Sequence, residues 1–127
     1  MDIKDLIFCF LLLIAVFFIS HQASAARFML ESEYVNETCP VESVEIKNSD
    51  NTRTDCLNDV FSIEYDFADK WAECVGQAKH YARLNGNLSA CVLIIENYSD
   101  CKYVARAKGL GVPVYLIDLF KYCGTCV

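Results

Sequence analysis

An α/β fold, a mixed β-sheet with helices on its faces, is predicted by three features of this chain. Strand-like segments come three in succession and then alternate with helical ones. The segment 60–67 has a period of two: Phe61, Ile63, Tyr65 and Phe67 point one way, Ser62, Glu64 and Asp66 the other. The segment 90–96 is continuously apolar, as a strand covered on both faces would be.

The chain opens on residues 1–25, which have the parts of a cleavable secretory leader. Residues 6–19 carry no charge, Ser20, His21 and Gln22 break the run, and Ala23-Ser24-Ala25 forms a small-x-small cleavage pattern. That run falls short of the roughly 20 apolar residues that cross a bilayer. An uncleaved anchor is the alternative. Residues 26–127 are then a single domain, secreted or periplasmic, with no membrane contact once the leader is removed.

Within that domain, 28–39 has weak helical character, and 41–48 and 52–57 read as strands around the turn residues Ser49, Asp50 and Asn51. After 60–67, residues 68–84 hold good helix formers and no proline, and Asn85-Gly86 supplies a helix stop. The strand 90–96 leads to a short helix over 99–108, with Ser99 as N-cap, and Pro113 begins a last strand over 113–120. Strand–helix–strand units cross over right-handed, so the last strands are parallel.

Composition narrows the function. With 13% aromatic and 22% charged residues the chain is not disordered, and a net charge of −6 argues against a non-specific nucleic-acid binder with a basic face. Beyond the leader stand Cys39, Cys56, Cys74, Cys91, Cys101, Cys123 and Cys126, an odd set in which at least one thiol stays free. Cys123 and Cys126 form a Cys-Gly-Thr-Cys followed only by Val127, which offers no helix N-terminus to activate a thiolate. The expectation is a terminal disulfide between them, with a thiol oxidoreductase as the weakest functional reading. Cys56, Cys74 and Cys91 lie in apolar surroundings and are expected as core thiols.

The chemistry concentrates in the hairpin. A turn centred near Asp59 and Val60 sets Asp55 opposite Glu64, with Cβ atoms about 5 Å apart. Period two adds Asp66 to the same face, beside Arg53. Carboxylates that close hold their protons unless a cation neutralises them, and hard oxygen donors suit Mg²⁺. On the following helix Lys70, Cys74, Gln77 and Tyr81 share one stripe, so Lys70 would lean back over the strand end.

Asp55, Glu64-Tyr65-Asp66 and the Gln77-x-x-x-Tyr81 helix element resemble the PD-(D/E)XK nuclease superfamily, including a group of small bacterial proteins within it. The resemblance covers roughly 45–118. It implies an αβββαβ restriction-endonuclease-like core and one or two Mg²⁺ or Mn²⁺ ions on Asp55 and Glu64, with Glu45 as a further ligand. It also implies nucleic acid as substrate, with Gln77 and Tyr81 positioning water or backbone. Asp66 stands where the motif has lysine, so Lys70 would supply the ammonium or cutting would be lost. Two functions follow: an exported metal-dependent nuclease or phosphodiesterase, or a catalytically inactive secreted protein that binds a protein partner. Plain solubility of an exposed acidic face, neutralised by Arg53, is the structural alternative to both.

Overall fold

The computed structural model describes residues 2–4, 7, 27 and 29–124, so most of the leader and Cys126 lie outside the described residues. Helix α1 (Glu31–Thr38) precedes strands β1 (Val44–Lys47), β2 (Arg53–Leu57) and β3 (Phe61–Phe67). Helix α2 (Trp71–Asn85), strand β4 (Leu88–Ile94), helix α3 (Cys101–Lys108) and strand β5 (Val114–Ile117) complete the order. One five-stranded sheet runs β1-β2-β3-β4-β5. Its first three strands are antiparallel neighbours, and β3, β4 and β5 are parallel. The α/β class, the meander and the parallel pairing of β4 with β5 agree with the sequence reading, and β3 is parallel to β4 as well.

Two apolar layers sandwich the sheet. On one side Cys74, Val75 and Ala78 of α2 and Val104 and Ala107 of α3 meet Cys91 and Leu93 of β4. On the other, Val35 of α1 joins Cys56, Tyr65 and Val92, while Tyr34 meets Phe67 and Ile94. Alternation along β4 sends Cys91 and Leu93 one way and Val92 and Ile94 the other, which is why its sequence is apolar throughout. At the end of α2, Gly86 takes φ 66°, a left-handed cap that any β-carbon would strain.

Several boundaries differ from expectation for local reasons. Residues Val41–Ser43 form a 3₁₀ turn, closed by Ser43 N–H donating to Pro40 O at 2.8 Å, and β1 starts only at Val44. Ser99 does not cap α3. A 3₁₀ turn over Tyr98–Asp100 intervenes, and the Asp100 carboxylate accepts the N–H groups of Glu96 (2.8 Å) and Asn97 (3.1 Å). The last strand stops at Ile117 because Asp118 turns the chain, accepting Tyr122 N–H at 2.9 Å and Cys123 N–H at 2.8 Å.

The cysteine pairing is corrected more deeply. Cys123 is bonded to Cys101, not to Cys126, and Cys56 is no free core thiol but is bonded to Cys39. The turn at Asp118 brings Cys123 back to the start of α3, and Cys39 at the end of α1 lies beside β2. Cys74 and Cys91 are free and buried, as expected. Disulfides persist in oxidising compartments, so two of them are consistent with an extracytoplasmic protein. No helix among the described residues is long and apolar enough to cross a membrane.

The Cys39–Cys56 bond closes a separation of 17 residues, for which loop-closure entropy gives about 3 kcal/mol. Replacing both cysteines with alanine is expected to lower unfolding free energy in urea by roughly that amount. Non-reducing peptide mapping is expected to recover Cys123 linked to Cys101; a Cys123–Cys126 peptide would contradict this topology.

Candidate functional site

The β2–β3 ladder is regular only near its turn, where Leu57 faces Ser62 and Cys56 faces Ile63. One step further, where Asp55 meets Glu64, side chains replace the backbone pairing. Asp55 N–H donates to Glu64 Oε1 at 3.2 Å, and Tyr65 N–H donates to Asp55 Oδ2 at 2.8 Å. The strands part at this point, and each acid satisfies a donor that the ladder leaves open. The expected opposition of Asp55 and Glu64 is therefore present, as a split in the sheet rather than as a decoration on its face.

The polar face of β3 is not exposed, which overturns the solubility alternative. Glu64 is 3% exposed and Asp66 4%, because α2 covers that side. Cys74 Sγ donates to the Glu64 carbonyl at 3.4 Å. Arg53 does not neutralise the acids; it is exposed and donates to Glu45 O at 3.3 Å.

Burial pushes the carboxyls toward their protonated forms. Glu64 is pushed up to about 9, first by burial and then by the charge of Asp55. Asp55 rises to about 6, again chiefly through burial, against the pull of Tyr65 N–H and with Glu45 adding repulsion. Asp66 is raised by burial although Lys70 opposes the shift. Lys70 Nζ lies 3.6 Å from Asp66 Oδ1, one helical turn on, so the ammonium does lean back over the strand end.

A fourth acid joins these, and the sequence reading passed over it. Glu31, at the start of α1, is raised to about 7 by burial, then by Asp66 and Asp55, and it hydrogen-bonds Asp66. Its only signal in the sequence is acidity in a first helical turn, which most helices show for dipole reasons. The other expected residues are peripheral. Tyr81 is buried on α2, its phenol pushed up by burial and then by Glu64 and Asp55. Gln77 is half-buried one turn earlier. Glu45 is exposed, with a left-handed φ of 54°, and reaches Asp55 through its charge.

The donor set is all carboxylate oxygen, the chemistry that Mg²⁺ or Mn²⁺ favours. Among the described residues no three acidic, histidine or cysteine side chains stand as a ready-made metal cage. What stands there is a proton-holding pair, Asp55 and Glu64, with Asp66, Glu31 and Lys70 beside it. Comparison with protein-family models, curated proteins and solved structures found no match for this chain.

The sign of the pH dependence follows. A carboxyl whose folded pKa is raised stabilises the fold below its unfolded value, and that stabilisation is lost as pH climbs through the folded value. For Asp55, Glu31 and Glu64 the loss sets in above their ordinary values of 3.8, 4.5 and 4.5 and is complete near about 6, about 7 and about 9 in turn. In chelator, melting temperature is expected to fall between pH 5 and pH 8.5, and Glu64→Gln, which mimics the protonated acid, is expected to flatten the fall. A melting temperature that rises across that window would overturn the assignment.

Proposed function

We propose that this chain is an exported, Mg²⁺- or Mn²⁺-dependent phosphodiesterase of the nuclease type, with Asp55 and Glu64 as its metal-binding acids. The observation that carries the reading is their contact at the split of the hairpin, where both are raised in pKa and share no basic partner among the described residues. A pair that binds a proton this firmly for want of positive charge offers the same negative field to a divalent ion. The succession α1, three meander strands, α2 and β4 supports a restriction-endonuclease-like core. Two disulfides support export to a secreted or periplasmic location.

Within this reading Asp55 and Glu64 hold the ion, with Glu31 or Asp66 completing the oxygen set. Glu45 is exposed and acts on Asp55 through its charge. The ion, when bound, would lower the pKa of a water and stabilise charge on the phosphate. Lys70 is half-exposed at the mouth of the site and would take the place of the lysine that Asp66 displaces from the motif, binding a phosphate oxygen. Tyr81 and Gln77 on α2 would orient the nucleic-acid backbone.

The inactive binding protein is the second reading, favoured by a specific observation. Lys70 is engaged with Asp66, and Glu64 is almost wholly buried, so substrate must compete for the first and the ion must reach the second. Activity and binding separate the two.

Mn²⁺ at pH 8 is expected to raise the melting temperature of the native chain and to leave Asp55→Asn unmoved. Single- and double-stranded DNA and RNA are the substrates to assay. Lys70→Met is expected to lower cleavage by about 100-fold or more while keeping the Mn²⁺ shift. A Mn²⁺ shift without cleavage of any of these would favour the binding protein, and no shift at all would remove the metal site.

A further inference from the structure

We propose that the turn end of the β2–β3 hairpin carries a second binding site, one that takes an alkylammonium group. A cavity of about 460 Å³ opens there, between the hairpin turn and the C-terminal end of α2. It lies away from the split end that holds Asp66, and its lining includes none of the acids of the first site.

The lining is one-sided in charge. Glu42 and Asp59 contribute carboxylates, and neither forms a salt bridge among the described residues. Asn85 and Gly86 close α2, whose last turn carries the negative end of the helix dipole. Among the described residues no lysine, arginine or histidine lines the cavity, and Arg83, the basic residue of that last turn, is held 3.3 Å from His80 Nδ1.

The amide of Asn85 is fixed in the sense a cation needs. Its Nδ2 donates to Asn48 Oδ1 at 3.0 Å and to Ser62 Oγ at 3.1 Å, so among the described residues Oδ1 is the amide atom left able to accept. Asn48 is itself held by Thr54 Oγ1 at 3.0 Å, so the network cannot readily flip. Ile46 and Leu57, both half-buried, supply apolar wall.

Carboxylates, amide oxygen and a helix C-terminus repel phosphates and nucleic acid, so this cavity is no extension of the site proposed above. An ammonium head with a methylene stem satisfies both the acceptors and the apolar wall. The same chemistry comes from a free polyamine or from a lysine side chain of a peptide.

The test is amide NMR of the full chain titrated with cadaverine, with a capped lysine tripeptide and with 1-pentanol. Cadaverine is expected to shift Leu57, Asp59, Asn85 and Gly86, and to do so less at high salt. Asp59→Asn is expected to weaken binding about fivefold or more while leaving the Mn²⁺ response intact. Tighter binding of the tripeptide than of cadaverine assigns the ligand to a peptide, and the reverse order assigns it to a free polyamine. Equal binding of 1-pentanol, shifts centred on Asp55 and Glu64 instead, or no shift with either amine would each overturn the proposal.

Discussion

Two acids, Glu64 buried and Asp55 half-buried, stand where a β-ladder should continue and set the terms for the rest of this molecule. Asp55 and Glu64 accept the backbone N–H groups of Tyr65 and Asp55 across the point where β2 leaves β3. Neither acid can be removed from water and ionised beside the other without a compensating positive charge. A proton or a divalent cation can supply it. The position of α2 follows from the same constraint, since its apolar residues Cys74 and Ala78 seal the polar face of β3 instead of leaving it wet. Lys70 then reaches back to Asp66 from the first turn beyond the strand.

The scaffold that holds this split is conventional in its forces. Leu93 and Ile94 are almost fully buried on opposite faces of β4, and burial of such side chains is worth about 1.5–3 kcal/mol each. The disulfides lie at the margins: one ties the end of α1 to β2, the other ties the start of α3 to the segment after β5. The free thiols of Cys74 and Cys91 sit in the core beside the acids, and the Cys74 thiol is pushed up by its contact with Cys91 and then by burial. Covalent bonds thus constrain the periphery, while the centre is held by packing and by protons.

What the sequence made legible was whatever depends on neighbours along the chain. Alternation in 61–67, the turn at Asn58-Asp59 and the resulting register followed from period and turn chemistry, and so did the Gly86 cap. Spacing along α2 likewise anticipated the approach of Lys70 to Asp66. Contacts made across the fold were not legible. Glu31 reaches Asp66 because α1 crosses the sheet, and Cys101 finds Cys123 because Asp118 turns the chain back. Alternation also tells which side chains share a face but not what covers that face, which is why Glu64 and Asp66 read as exposed and are buried.

The acid pair is thus both a structural repair and the seat of the proposed chemistry, joined by a proton that a divalent ion would displace. Carbon-13 NMR of the Glu64 carboxyl at neutral pH, before and after addition of Mg²⁺, tests this most directly. The account predicts a protonated carboxyl that becomes ionised when the ion is added. A Glu64 carboxyl already ionised at neutral pH in the ion-free protein, or one that keeps its proton at saturating Mg²⁺, would contradict it.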